Sequence, residues 1–320
     1  MSQAARPRTP PVVAIVGPTA VGKSTLALQL APEFGAGILS ADSRQVYRYM
    51  DVGTAKPTLR EQALVTHYMI DVVEPSETYS AQRFATEAAR VLIAHSEMKR
   101  PIFVVGGTGF YVSALLDGLS LPSVAPNPAL RARFRAEAEA DGPAGLHRRL
   151  QELDPASAAR IHWNNLPRLV RALEIVETLG GPVPSRPRNA GVPAMFVGLN
   201  MERETLYEIA DRRIQEQMRL GLQEETARLL RMGYSPSSLA LGGLGYREMV
   251  QLVQGRTTQE EAVASYQAAT RRYIRRQLTW FRGDSRINWV AAGPDSIALV
   301  RHQVERYLAT AWQASSDPAD

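Results

Sequence analysis

Gly17-Pro18-Thr19-Ala20-Val21-Gly22-Lys23-Ser24 reads G-x-x-x-x-G-K-S, the P-loop pattern. Its flanks agree. Pro11-Val12-Val13-Ala14-Ile15-Val16 is a short β-branched run, as a buried parallel strand is. Leu26-Ala27-Leu28-Gln29-Leu30-Ala31 favours helix and follows directly. A strand that enters a glycine-rich turn and opens a helix points backbone N–H groups and the positive end of a helix dipole at one spot. That spot binds a di- or triphosphate. Gly17, Pro18, Thr19, Ala20, Val21 and Gly22 form the cradle, Lys23 adds a point charge, and the Ser24 hydroxyl is a candidate ligand for Mg²⁺.

Outward from this turn the first third alternates strands and helices. Strands are expected at 12–17, 37–40, 68–72 and 102–106, with a helix from Ser80 to Lys99 that uses Ser80 as its N-cap. This βαβ rhythm predicts an α/β fold, a P-loop-type parallel sheet core flanked by helices. The texture changes after Leu121. Residues 125–180 read as an all-helical insertion domain, with Pro128, Pro155 and Pro167 in first helical turns behind Asn127, Asp154 and Leu166. Gly180-Gly181-Pro182 ends its last helix, and 181–193 is a turn-rich connector carrying Arg186 and Arg188. A strand at 194–199 returns to the sheet, and helices are expected at 203–232, 246–254 and 258–282. The catalytic core thus comprises 1–121 and 194–320.

Composition narrows the classes. Hydrophobic residues make up 45% of the 320, ordinary for a globular chain, and no apolar run approaches the ~18 residues of a membrane span. Met1 to Pro11 holds Arg6 and Arg8 but no hydrophobic stretch, so it reads as a short disordered lead and not a signal peptide. The absence of cysteine excludes disulfides, cysteine-ligated zinc and thiol catalysis, and fits a cytoplasmic protein. The five histidines show no metal-binding spacing. A net charge of +5, mostly from arginine, suits a polyanionic partner without proving one.

A P-loop does not by itself name a reaction. Its commonest owners move a γ-phosphoryl group and carry a second strand ending in an acid. Here Ile102-Phe103-Val104-Val105 runs into Gly106-Gly107-Thr108-Gly109 instead. The strand that ends in an acid is Ile38-Leu39-Ser40-Ala41-Asp42, which puts Asp42 at the carboxyl edge of the sheet, where open α/β folds bind ligands. Such a carboxylate can hold Mg²⁺ or act as a general base.

A series of longer motifs then becomes specific. Ala41 to Pro57 (ADSRQVYRYMDVGTAKP), His67 to Phe84, Val105 to Leu119, Arg168 to Ile175 (RLVRALEI), Gly243 to Met249 (GLGYREM) and Arg275 to Arg282 (RRQLTWFR) follow the P-loop in order. Together they resemble the bacterial tRNA dimethylallyltransferases, also called tRNA isopentenyltransferases. The resemblance implies transfer of a dimethylallyl group from its diphosphate to the exocyclic amine of the adenosine just 3′ of the anticodon. The partners it implies are tRNA and dimethylallyl diphosphate, with Mg²⁺ as cofactor, no membrane, and a monomeric chain. The P-loop would then cradle a prenyl diphosphate, and no acid is needed on the 102–106 strand.

The resemblance also assigns roles. Asp42 matches the family's general base, with Thr19 and Thr108 as neighbouring polar groups. Lys23 and Arg213 match its charge-stabilising groups, with Arg212 in reserve; the family usually has methionine where Gln217 stands. Asp42, Ser43, Arg44, Gln45 and Thr108 match the tRNA-contacting segment. So do Arg168 and Arg171, then Gly245, Tyr246 and Arg247, then Arg275, Arg276, Gln277, Trp280 and Arg282. From Arg271 to Arg282 there are five arginines and no acid, interleaved with aromatics, a mix suited to phosphate contact and stacking. Arg44 replaces an often apolar residue. The alternative is a P-loop kinase of a nucleoside or small metabolite, its helical insertion acting as a lid. A prenyltransferase acting on free nucleotides would not need the insertion or the 271–282 arginines.

Overall fold

The computed structural model describes residues 9–119, 122, 124–184 and 191–314. The amino-terminal lead through Arg8, and Arg186 and Arg188 of the connector, lie outside the described residues. Two compact units are present: Met1–Gly118 with Ala190–Asp320, and Leu119–Asn189.

The larger unit opens with β1 (Val12–Val16), α1 (Lys23–Leu30), β2 (Gly37–Ser40), α2 (Leu59–Leu64), β3 (His67–Tyr68), α3 (Ala81–Glu97), β4 (Ile102–Gly106) and α4 (Gly109–Leu116). The six strands of the unit form one parallel sheet, ordered β3-β2-β4-β1-β5-β6 once β5 (Ala194–Asn200) and β6 (Ile287–Ala291) are counted. Every residue of β1 and β4 is buried, as parallel strands covered on both faces require. All strands point their carboxyl ends the same way, so the P-loop after β1, Asp42 after β2 and Gly107 after β4 gather at one edge.

The smaller unit holds α5 (Pro128–Asp141), α6 (Pro143–Leu153), α7 (Pro155–Arg160) and α8 (Leu166–Leu179). Asn127 and Asp154 cap α5 and α7 through their side chains, directly before the prolines. Asn165, not Leu166, is the cap of α8, which puts Pro167 at its second position. Phe134, Leu146, Leu150, Leu169 and Leu173 form the unit's own core. Buried Glu174 clamps it: its carboxylate accepts Arg131 Nε at 2.8 Å and the backbone N–H of Asn127 at 2.6 Å, and pairs with Arg171.

After β5 come α9 (Arg203–Arg219), α10 (Leu222–Arg231), α11 (Tyr246–Val253), α12 (Gln259–Arg282), β6 and α13 (Ser296–Ala314). Three expectations need correction. The helix expected over 203–232 is two helices, broken at Gly221, which adopts φ +91°. The strand expected at 68–72 stops at Tyr68, because Met69 and Asp71 take left-handed backbone, φ 63° and 52°. The segment beyond instead bonds the 45–46 backbone, and Lys56 holds the Asp71 carboxylate at 2.6 Å. Finally, β6 falls where no strand was expected; it pairs with β5 from Phe196–Ile287 to Asn200–Ala291.

Candidate active site

Gly17 leaves β1 with φ +140°, and a Cβ there would lie 2.6 Å from the Leu199 carbonyl oxygen. Only glycine lets the loop pass so close to β5. The turn delivers Lys23 and Ser24 to the floor of a cavity of about 240 Å³, which Asp42, Arg213, Tyr273 and Gln277 also line. Lys23 Nζ donates to the Pro18 carbonyl at 2.5 Å. Burial lowers its pKa from 10.5 to about 7; Asp42 pulls it back up, and Arg213 adds a smaller repulsion. Ser24 and Thr25 are exposed to the cavity. Among the described residues no cluster of three acids or histidines could cage a metal. A cation here would need the Ser24 hydroxyl together with oxygens of the phosphate ligand, the way Mg²⁺ is commonly held.

A second cavity, of about 330 Å³, adjoins the first. Arg44, Arg213, Arg247, Arg272 and Arg276 line it, and Asp42 is its one acid. The two cavities share Thr19, Ala20, Asp42, Thr54, Arg213 and Tyr273. Asp42 therefore stands where the P-loop cavity meets an arginine-rich one. Its Oδ1 accepts the Arg44 N–H at 2.8 Å, which fixes the carboxylate on the loop. Arg213 lines both cavities, whereas Arg212 is exposed and lines neither. Burial, with the Asp42 charge nearby, pushes the Tyr273 phenol up to about 12. Thr108 Oγ1 accepts the Ser43 N–H at 3.1 Å, tying the end of β4 to the Asp42 loop.

Several expected RNA-contacting residues face inward. Gln277 is 5% exposed; its Oε1 accepts the Thr19 N–H and its Nε2 donates to the Gly107 carbonyl, both at 2.9 Å. A Cβ on residue 107 would lie 2.2 Å from that Nε2, so the glycine makes room for the bridge. Gln277 thus fastens α12 to the phosphate cradle. Tyr246 is 1% exposed and donates to Glu225 at 2.6 Å; Gly245 is buried beside Tyr266. The Gln45 amide joins Ser40 to the Thr54 and Ala55 carbonyls. Arg171 spends its guanidinium on Glu174 and the Val124 carbonyl. Arg44 donates to the Leu239 carbonyl at 2.6 Å, which gives this departure from the family pattern a role: it pins the 239–243 turn over the second cavity. Arg168, Arg247, Arg275, Arg276 and Arg282 are exposed; Trp280 is 43% exposed, its ring edge-to-face with Phe110.

Two further residues bear on the site: Glu225, which carried no signal in the sequence, and Gln217, marked there only as a departure from the family pattern. Glu225 accepts the N–H groups of Asp51, Val52 and Gly53 at 3.0–3.2 Å. Gln217, 3% exposed, donates to the Val52 and Gly53 carbonyls and accepts the Tyr266 hydroxyl at 2.9 Å. These side chains hold the 51–54 loop, and with it Thr54, against the helices. Gln217→Met takes this partner from the part-buried Val52 and Gly53 carbonyls and the buried Tyr266 hydroxyl, and is expected to cost about 1–3 kcal/mol in urea unfolding. An unchanged urea midpoint would show that the network adds nothing to stability.

A P-loop whose neighbouring strand ends in glycine, opening through a single carboxylate onto an arginine-lined cavity, defines the class: a P-loop-type α/β protein with two joined cavities at the carboxyl edge of its sheet. The family model described as IPP transferase matches residues 45–284, and the chain belongs to that family. It is similar to the tRNA dimethylallyltransferase of Thermomicrobium roseum, with 43% identity over 302 residues, 93% of this chain and 92% of that one. Its counterpart from Geobacter sulfurreducens is 43% identical over 297 residues, covering 90% and 95%. The crystal structure of the full-length tRNA isopentenylpyrophosphate transferase from Bacillus halodurans is 35% identical and superposes with a TM-score of 0.71, covering 96% of this chain and 99% of that one.

Proposed function

We infer that this chain transfers the dimethylallyl group of dimethylallyl diphosphate to the exocyclic amine of the adenosine immediately 3′ of a tRNA anticodon, releasing diphosphate. One observation carries the reading: the phosphate cavity and the arginine-rich cavity meet at Asp42 and Arg213. Cleavage of the allylic carbon–oxygen bond builds negative charge on the departing diphosphate. Lys23, Arg213 and the P-loop N–H groups stand ready to stabilise it, as a preorganised anion site does. Ser24 would hold Mg²⁺, whose contribution is further neutralisation of that charge. The attacking amine must lose a proton, and Asp42 is the carboxylate placed to accept it. Thr19 lines both cavities and completes the polar wall.

An adenine reaches Asp42 only if it leaves the anticodon-loop stack, as bases generally do when enzymes act on them. The second cavity is the receiving pocket in this reading. Exposed Arg275, Trp280 and Arg282 would meet the RNA outside it, Arg276 would meet it at the cavity wall, and Arg168 would contact RNA on the helical unit. Among the described residues no helix is long and apolar enough to cross a membrane; in this reading the chain would act where tRNA is found, in the cytoplasm.

The reading is tested by incubating the protein with Mg²⁺, dimethylallyl diphosphate and an anticodon stem-loop, then sequencing loop fragments by mass spectrometry. One added dimethylallyl group on the predicted adenosine is expected. Phosphate transfer from ATP to a small acceptor, with no prenylated RNA, would establish the kinase alternative instead. The outer arginines have their own test. Arg275→Ala combined with Arg276→Ala is expected to weaken stem-loop binding and to flatten its salt dependence, by a slope of about 0.7 for each lost phosphate contact. An unaltered slope would mean that these guanidinium groups do not touch phosphate.

A further inference from the structure

The reaction inferred above creates positive charge as well as negative. The allylic carbon becomes cationic as its bond to the diphosphate oxygen breaks and the electron pair departs on that oxygen. The amine lone pair then forms the new nitrogen–carbon bond, and the amine proton passes to Asp42. Lys23, Arg213 and the P-loop serve the anion. None of them can favour a carbocation.

Six residues line both cavities, and the reacting carbon has to cross between them. Thr19, Thr54, Asp42 and Arg213 present hydroxyls or charge, and Ala20 is small. Tyr273 is the one aromatic among the six. We propose that the ring of Tyr273 is a catalytic group that faces the allylic carbon and stabilises its developing cation through the π-cloud. This rests on the prenyl-transfer reading of the same site. An aromatic face offers negative potential without a lone pair able to trap the cation, whereas a second carboxylate would be alkylated. The ring is also held in place. The Arg276 guanidinium lies over it, 5.6 Å from its centroid. One helical turn further along α12, Gln277 ties the same helix to the Thr19 N–H and the Gly107 carbonyl. Distance from the ring to the phosphate cradle is therefore set by buried hydrogen bonds. Tyr266, the other tyrosine nearby, lines only the second cavity and spends its hydroxyl on Gln217.

The test is a series of near-isosteric rings at this position: Tyr273→Phe, the same position carrying 4-fluoro- and then trifluorophenylalanine, and Tyr273→Leu. Single-turnover transfer to an anticodon stem-loop and equilibrium binding of the stem-loop are both measured. Tyr273→Phe is expected to stay within about threefold of wild type in rate, because the ring face persists. Each fluorination withdraws charge from that face, so the rate is expected to fall stepwise, by about tenfold for the trifluoro ring. Tyr273→Leu is expected to lose at least about as much, with stem-loop affinity within about twofold throughout. A rate indifferent to fluorination overturns the inference, as does a loss that appears in binding and not in rate. Because the fluorinated rings match phenylalanine closely in shape, misfolding of Tyr273→Leu would leave the series decisive. Wild-type protein that transfers no prenyl group would overturn the reading of the site and the inference with it. A normal wild type with a flat series overturns the inference alone.

Discussion

Asp42→Asn is expected to slow single-turnover prenyl transfer by about 10²–10⁴-fold, while stem-loop affinity stays within about tenfold. The residue stands just past β2 and lines both cavities, so it alone among the acids can reach an amine in one and a prenyl donor in the other. Asparagine is the informative replacement. Its side-chain carbonyl can still accept the Arg44 N–H, so the loop that also carries Ser43 and Arg44 stays in place. What it cannot do is accept the proton that the amine must lose. Alanine would confuse the two effects by freeing the loop as well. A rate loss that persists at saturating donor would identify a chemical role. A raised KM with unchanged rate would reduce Asp42 to a positioning residue, and an unchanged rate would remove it from the mechanism.

The features that announced this site are local in sequence. The P-loop needs eight consecutive residues and two flanks, and Asp42 needs only a strand that ends in an acid. Parallel-sheet architecture followed from buried β-branched runs alternating with helices. What escaped notice depends on distant partners or on weak edges. Glu225 reads as an ordinary polar helix residue, Gln217 only as a departure from the family pattern and Gln277 as an RNA contact; their partners in the 51–53 loop, the P-loop and the end of β4 are 164 to 258 positions away in the chain. Gln277 was further disguised by the arginines around it, which suggested RNA where the amide in fact serves the phosphate cradle. Tyr246 did carry a legible signal: Met249 and Val250 follow at helical spacing, and all three are buried on one face. β6 is a five-residue edge strand buried only at Ile287 and Val290, so it lacks the two-residue alternation that would mark it. The left-handed turn at Met69 leaves no mark of its own, and aspartate visits that region too occasionally for Asp71 alone to signal one.

Lys23→Met is expected to abolish both tight binding of dimethylallyl diphosphate and the proton uptake that accompanies it. In the free protein burial holds Lys23 near a pKa of about 7, so at pH 8.5 the side chain is mostly neutral. A bound diphosphate places several negative charges beside it and favours the ammonium form. At pH 8.5 the donor is already fully ionised, so a proton taken up on binding must come to the protein. Calorimetry in buffers of different ionisation enthalpy should detect an uptake approaching one proton in wild type and none in the variant. Donor affinity should accordingly weaken as pH rises above 7. Stability moves the opposite way. Between about 7 and 10.5 the unfolded chain keeps a proton on Lys23 that the folded protein has shed, so this residue makes the free protein more stable as pH rises. Below 7 the folded state carries the full cost of a desolvated ammonium, which Lys23→Met removes. The variant should therefore raise the melting temperature of the free protein most at pH 6, with the gain shrinking towards pH 10, even as it destroys donor binding. A wild type that binds the donor at pH 8.5 without proton uptake would show that Lys23 is already charged in the free site, and that its surroundings are wetter than the packing implies.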